Sequence, residues 1–180
     1  MPVASNALTT LESVKNYLKI GTEQTSEDSM LEGLINSASS AIENYCERKF
    51  KEQTYIDEEY DGGGSKYLHL KQYPVKEIIS VAIDETSLDV ADYKVKKSNG
   101  TLIRKNSVWP EGDINILVSY IAGFSEIPND LELACKHLVM SYFKSDIASF
   151  STTFQEGFVF RPEALPSQVK ALVGPYKKVM

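Results

Sequence analysis

The chain has 180 residues, of which 42% are hydrophobic and 24% charged. A chain of this length buries roughly 70% of its unfolded surface, which excludes two separate catalytic domains, and its composition excludes wholesale disorder. Its formal charge of -6 excludes the strongly basic class of proteins that grip duplex DNA. The acidic excess lies entirely in residues 1–70, which hold twelve acids and six bases and should form the acidic face of the fold.

Two helices are predicted within the first fifty residues. Thr9 and Glu12 have the spacing of a capping box, and apolar residues then recur at helical spacing until Gly21. A longer apolar pattern follows a polar spacer and runs to about Phe50, which predicts a helix roughly 35 Å long. The small residues 38–41 in its middle permit close helix packing, either within the subunit or with a neighbouring subunit.

Between residues 54 and 124 the apolar period changes from helical spacing to alternation. The candidate strands are residues 67–70, 75–83, 93–97, 101–105 and 114–121. Asn99-Gly100 lies between two short alternating runs and is the strongest hairpin signal in the chain. No helical pattern separates these strands, so we expect a small antiparallel sheet inserted between helices.

A third helix is predicted for residues 127–145, opened by Pro128 and followed by an irregular arm. A short last helix begins after Pro166. The predicted fold class is therefore α+β: mainly a helical bundle of three to four helices, with a small antiparallel β-sheet inserted between the second and third long helices. We expect one domain over 1–180, divided into N-terminal helices (8–50), an inserted β region (54–124), a core helix (127–145) and a C-terminal arm with a short helix (146–180).

The chain shows no recognisable catalytic or ligand-binding motif. His69 and His137 have no metal-ligand spacing, and Cys46 and Cys135 have the setting of small buried thiols. The acidic run 57–61 beside three glycines matches neither a calcium loop nor a phosphate-binding loop, so it is interpreted as a solvated loop. We expect no catalytic residue, cofactor or metal, with a small metal-dependent hydrolase or nuclease acting through this acidic run as the alternative.

The chain's basic cluster surrounds the predicted Asn99-Gly100 turn. It consists of Lys94, Lys96, Lys97, Arg104 and Lys105. Lysines often protect exposed sheet edges against unwanted pairing, which is one interpretation. The other is a positively charged hairpin tip that meets an acidic partner surface or, transiently, nucleic acid.

No stretch approaches the length of a membrane-spanning helix, and the N-terminus has neither the basic start nor the apolar run of a signal peptide. We therefore expect a protein that is made in the cytosol, is reduced, and has no contact with a membrane.

Six strings covering nearly the whole chain follow one another in a specific order. They are LTTLESVKNYLKI (8–20), MLEGLINSASSAIENYCERKF (30–50), LHLKQYPVKEIISV (68–81), SYIAGF (119–124), IPNDLELACKHLVMSYF (127–143) and LPSQVKALVGPYKKV (165–179). This order of elements resembles the phage head-tail connector, or adaptor, family. The β region is longer than a minimal helical adaptor requires, and in this respect the chain departs from the family.

The resemblance implies a structural neck protein without enzymatic activity. Its partners would be the portal protein, a neck or tail protein, and copies of itself in a ring of roughly twelve subunits. DNA would pass through the ring with only transient contact, which suits a net negative chain. The protein would be made in the cytoplasm of the host, as a phage or prophage product, and end in the virion neck; a neck stopper or tail-completion protein is the alternative.

Four aromatic residues in the irregular arm are the first candidates for partner binding. They are Phe150, Phe154, Phe158 and Phe160. Aromatic side chains in a polar segment after the last core helix are typical of interface hot spots. The alternative for these residues is an arm that folds back over its own sheet.

For the whole chain, a further alternative is a generic regulatory binding module, monomeric or dimeric.

Overall fold

The computed structural model describes the backbone of residues 2–151 and 165–178, and the side chains of 2–144 and 165–178. It divides into two compact units, which we call the helical unit (1–50 with 126–180) and the β unit (51–125). The helices are α1 (Leu11–Leu18), α2 (Asp28–Cys46), α3 (Asn129–Ser151) and α4 (Ser167–Val173). The strands are β1 (Gln53–Gly62), β2 (Tyr67–His69), β3 (Val75–Ile83), β4 (Thr86–Ser87), β5 (Tyr93–Lys96), β6 (Thr101–Arg104) and β7 (Gly112–Ala122).

The start of α1 is fixed by Thr10, one residue after the threonine that the sequence pattern indicates. The Thr10 side chain accepts a hydrogen bond from the backbone N–H of Ser13, 3.1 Å away. Thr9 instead donates its hydroxyl to the Glu132 carboxylate. The helix ends at Leu18, and its C-cap Lys19 has a left-handed backbone, before the predicted Gly21 stop.

The core of the helical unit forms where α2 packs against α3. Ala38 and Ser39 of α2 are buried, and the Ser39 Oγ lies 3.6 Å from the Cys135 Sγ. Small side chains at this point allow the two helices to approach closely. Ala38 and Ser39 are therefore used for packing within the subunit.

The chain after the arm returns to the helical unit. Val169 and Val173 of α4 are buried, and the Cys46 Sγ lies 3.7 Å from the Val173 carbonyl oxygen. The backbone N–H of Lys178 donates to the Cys46 carbonyl. This last helix is part of the core, so it stabilises the fold.

Two antiparallel sheets make up the β unit. The first has the strand order β1-β7-β3-β4, and the second has the order β2-β6-β5. The backbone N–H of Lys71, just after β2, donates to the Tyr60 hydroxyl of β1, and the Lys97 ammonium, just after β5, donates to the Lys76 carbonyl of β3. The sheets are therefore stacked, with β2 near β1 and the end of β5 near the start of β3.

The stacked sheets enclose a core that belongs to the β unit alone. It consists of Tyr60, Leu68, Leu70, Val75, Val81, Tyr93, Leu102, Trp109, Ile116, Val118, Tyr120 and Ala122. Alternate residues of β7 supply the last four, as the two-residue period of a strand requires.

The prediction of a mainly helical bundle with a small inserted sheet is wrong. In the sequence the β unit is inserted between α2 and α3, as predicted, but it forms two sheets with a hydrophobic core of their own. β1 was missed because bulges between Tyr55 and Glu58, and between Tyr60 and Gly62, interrupt its alternation, and because its acids resemble a loop. With this ten-residue strand included, the β region is a compact unit with its own core.

Candidate assembly surfaces

The basic cluster lies on the β5–β6 hairpin, which the structure forms around the predicted turn. Lys96 pairs with Thr101, and Lys97–Asn99 make a short 3-10 turn between the strands. Gly100 closes this turn with a φ of 63°, the left-handed conformation that glycine adopts without a steric penalty. The Asn99-Gly100 signal therefore identified the hairpin correctly.

Lys94 and Lys96 belong to one face of the three-stranded sheet. Cross-strand pairing places Lys94 beside Ile103 and Tyr67, and Lys96 beside Thr101 and His69. Both lysines are exposed. This face is opposite the one that carries the buried Leu102, so it is the outer face of the β unit.

The other three cationic residues of the hairpin are held by local contacts. The Lys97 ammonium donates to the Lys76 carbonyl, and the Lys105 ammonium donates to the Ala91 carbonyl. Lys97 and Lys105 are exposed, whereas Arg104 is half-buried. The five residues therefore do not form one continuous patch.

Arg104 lies toward the core side of its sheet, opposite Tyr93. Its guanidinium carbon is 5.6 Å from the centroid of the buried Trp109 ring, within reach of a cation–π interaction. Among the described residues, its Nε and Nη1 and the Trp109 Nε1 have no hydrogen-bond partner. Arg104 therefore contributes to packing in the β unit.

The interpretation of the acidic run 57–61 as a solvated loop is wrong, because these residues lie in the second half of β1. Asp57 Oδ1 accepts a hydrogen bond from the Ser119 hydroxyl of β7, and Asp61 Oδ1 accepts one from the Ile114 N–H. Glu59 is exposed. Since neighbouring residues of a strand point to opposite faces, these carboxylates are distributed over two faces.

Glu58 joins a hydrogen-bond network with two core tyrosines. Its Oε2 accepts from the Tyr120 hydroxyl at 2.6 Å and also from the Tyr60 hydroxyl. The two phenol oxygens lie 3.2 Å apart. Burial and the hydrogen bond to Glu58 raise the pKa of both tyrosines, so both stay protonated as donors.

The described residues contain no group of three His, Cys, Asp or Glu side chains arranged to hold a metal ion. The His69 Nδ1 lies 3.2 Å from the Thr101 hydroxyl, and the His137 ring lies 5.8 Å from that of Tyr17. Cys46 and Cys135 are buried free thiols, and burial raises the pKa of each to about 11. These thiols are poor nucleophiles near neutral pH.

The aromatic arm falls almost entirely outside the described residues. Phe154, Phe158 and Phe160 lie there, and Phe150 lies in the last turns of α3, where side chains are not described. The partner-binding role of these four residues therefore stays a prediction from the sequence pattern.

The β unit also exposes apolar side chains that the sequence analysis did not single out. Ile56 of β1 is 74% exposed and Ile79 of β3 is 54% exposed. Both lie at bulges, opposite the same part of β7. A bulge shifts the alternation by one residue, so a period-two pattern does not predict which of these side chains faces solvent.

In the part of the chain that the structure describes, no helix combines the length and apolar character needed to cross a membrane.

One curated relative is an enzyme, but the similarity is partial. The chain is 29% identical over 116 residues to the ribosomal RNA small subunit methyltransferase H of Sulfurihydrogenibium azorense. The match covers 64% of the chain, and the chain spans only 35% of the length of that relative.

Solved structures with a similar fold come from the necks of gene transfer agent (GTA) particles. A chain of the neck of the empty particle, computed with C6 symmetry, has a TM-score of 0.62 at 15% identity. A chain of the neck of the native particle, computed with C12 symmetry, has a TM-score of 0.58 at 16% identity. Each match covers 100% of this chain and 95% of the other, so the whole fold is shared.

The model of the head completion protein family matches residues 7–179, which include both units. It therefore covers the helices, the inserted β unit and the returning α4 together. The chain belongs to the head completion protein family.

Proposed function

We propose that the chain assembles into a ring of about twelve copies that joins the portal protein to a neck or tail protein and lets DNA pass through its centre. The family match over residues 7–179 carries this proposal. The C6 and C12 symmetries with which the two neck structures were computed support a ring. The protein would be made in the host cytoplasm and end in the virion neck. The alternative, a neck stopper or tail-completion protein, would contact a different ring of the neck.

The proposed role uses interfaces and requires no catalysis. The acids that the hydrolase alternative requires make structural contacts: Asp57 with Ser119, Glu58 with two tyrosines, and Asp61 with a backbone N–H. The partial similarity to a methyltransferase does not support that activity, because the chain spans only 35% of the length of that relative.

The net charge of -6 is compatible with a passage for DNA. Each phosphate contact by a lysine or arginine adds affinity for DNA, and many such contacts would retain the duplex. A negatively charged surface around the central channel would keep its contact with DNA transient.

We propose that the aromatic arm binds a partner in the neck. α3, which contains Phe150, leads into the arm and α4 follows it, and both helices belong to the helical unit. A segment tied to the core at both ends is restricted in its reach, which lowers the entropy cost of binding. The four phenylalanines would supply the buried apolar contacts.

The arm is best tested without removing α4, because Val169 and Val173 belong to the core. We expect the triple variant Phe154→Ser, Phe158→Ser, Phe160→Ser to keep the melting temperature of the wild type but to lose co-purification with the portal protein. The matched control is Tyr67→Ser, which removes an exposed aromatic residue from the β unit. Normal portal binding by the triple variant would refute the role of the arm.

The ring is tested by native mass spectrometry of the chain mixed with the candidate portal protein. We expect complexes with about twelve copies of the chain per portal ring. The isolated chain is compatible with the proposal as a monomer, because a partner can template the ring. A stable dimer that ignores the portal would refute it.

A further inference from the structure

Two edge strands lie on opposite sides of the β unit. β1 is the first strand of the four-stranded sheet and β5 is the last strand of the other sheet. Because β2 lies near β1 and the end of β5 lies near the start of β3, the β1 and β5 edges face away from each other. Edge strands present backbone groups and side chains that a second chain can contact.

The β1 edge is acidic and partly apolar. This strand carries four acids and no base. Glu59 and Asp57 are exposed, and Ile56, between the pairs Tyr55–Tyr120 and Glu58–Val118, is 74% exposed. The Lys71 ammonium donates to the Glu59 carbonyl and offsets one negative charge. The edge therefore offers an apolar side chain surrounded by a net negative charge.

The β5 edge is basic. The strand has the sequence YKVK and contains no acid. Lys94 and Lys96 are exposed, Val95 between them is half-buried, and Lys97 follows directly. Flexible lysine stems cover apolar surface while their ammonium groups reach toward charges.

The different charges of the two edges decide which pairs of copies attract. Two β1 edges repel each other, and so do two β5 edges, whereas β1 of one copy and β5 of another attract. Like charges placed opposite each other suppress wrong pairings, and complementary potentials fix orientation. This pattern disfavours a two-fold dimer through either edge and favours head-to-tail contact, which generates a ring when the rotation closes.

We propose that the lysine-bearing β5 edge of one copy docks on the acidic β1 edge of the next copy. Ile56 is the apolar centre of this contact, and Glu59 faces Lys94 and Lys96. The inference rests on the proposed ring and assigns its subunit interface to the β unit.

The experiment uses two variants of the full chain that reverse the charges of one edge each. The first is Ile56→Lys with Glu59→Lys, and the second is Lys94→Glu with Lys96→Glu. All four side chains are exposed, so folding should be retained and is checked by circular dichroism. The matched control is Glu23→Lys, an exposed charge reversal in the helical unit. Assembly is measured by sedimentation velocity at low ionic strength, with and without the portal protein, because salt screens exposed charges.

We expect each edge variant alone to associate at least about tenfold more weakly than the wild type, and Glu23→Lys to associate normally. An equal mixture of the two edge variants should recover part of the assembly as alternating copies, because the doubly reversed contact regains opposite charges but lacks Ile56. In that arrangement every contact is either wild-type or doubly reversed.

Two results would overturn the inference in different ways. Normal assembly by both edge variants would place the subunit interface elsewhere and leave the proposed ring intact. A wild-type chain that forms no oligomer under either condition would refute the ring, and the inference with it.

Discussion

The Glu58 network shows how single residues stabilise the β unit. Tyr120 is fully buried, and its hydroxyl donates to Glu58 and lies 3.2 Å from that of Tyr60. Removing one hydroxyl leaves a partly buried carboxylate with fewer donors, which costs more than a hydrogen bond exposed to water. We predict that Tyr120→Phe lowers the free energy of unfolding by about 1–2 kcal/mol, measured by urea denaturation. Tyr55→Phe, which alters a hydroxyl bonded to the exposed Gln53, should change it by less than about 0.5 kcal/mol. Equal effects of the two substitutions would contradict this account.

A second prediction at the residue scale concerns alkaline pH. Burial, together with the hydrogen bond to Asp130, raises the pKa of Tyr176 from 10.0 to about 12. Since the pKa is higher in the folded state, the stabilisation is complete below pH 10 and is lost as the pH rises toward 12. Tyr176→Phe should therefore reduce the loss of stability over this interval, measured by urea denaturation at several pH values. Tyr67→Phe, at a side chain that is 55% exposed, is the control and should follow the wild-type curve. If the unfolding free energy of Tyr176→Phe falls with pH as steeply as that of the wild type, the contribution of the Tyr176–Asp130 contact is refuted.

At the scale of elements, the turn after β7 depends on a glycine in the string SYIAGF. Gly123 has a φ of 112°, and a Cβ at this position would lie 2.6 Å from the Lys51 carbonyl oxygen. Both the dihedral angle and the neighbouring backbone exclude a larger residue. We predict that Gly123→Ala lowers the free energy of unfolding by about 2 kcal/mol or more. Gly63→Ala, where a Cβ meets nothing within 4 Å, should stay within about 0.5 kcal/mol of wild type in the same urea titration. A tolerated alanine at position 123 would contradict the close approach.

The elements differ in how well the sequence predicts them, and residue composition explains much of the difference. β3 has two bulges of its own, yet it runs from Val75 to Ile83 as predicted, because it is rich in β-branched residues and Tyr73-Pro74 marks its start. β1 also has two bulges but carries four acids, so its partner β7, rather than its own composition, makes it a strand. At the candidate surfaces, the β5–β6 lysines were predicted from a hairpin signal, whereas Ile56 at a bulge was not. The sequence of a single strand does not show which distant segment it will pair with.

For the whole molecule, the charge makes a prediction about DNA. The chain carries 25 acids and 19 bases, and the exposed lysines of the hairpin are too few to offset this excess. We predict a dissociation constant weaker than about 100 µM for duplex DNA at physiological salt, measured by fluorescence anisotropy with the full chain. Lys94→Glu with Lys96→Glu serves as the control and should be indistinguishable from wild type. Micromolar binding with a steep dependence on salt would contradict a role as a passage.

The central proposal is that this head completion protein forms a ring in the neck. The most direct measurement is electron cryomicroscopy of the chain co-purified with its portal protein, without symmetry imposed during reconstruction. The account predicts a ring of about twelve copies on the portal, with an open central channel and the β1 edge of each copy next to the β5 edge of its neighbour. A portal that carries no ring, or one that carries isolated copies of the chain, would contradict it.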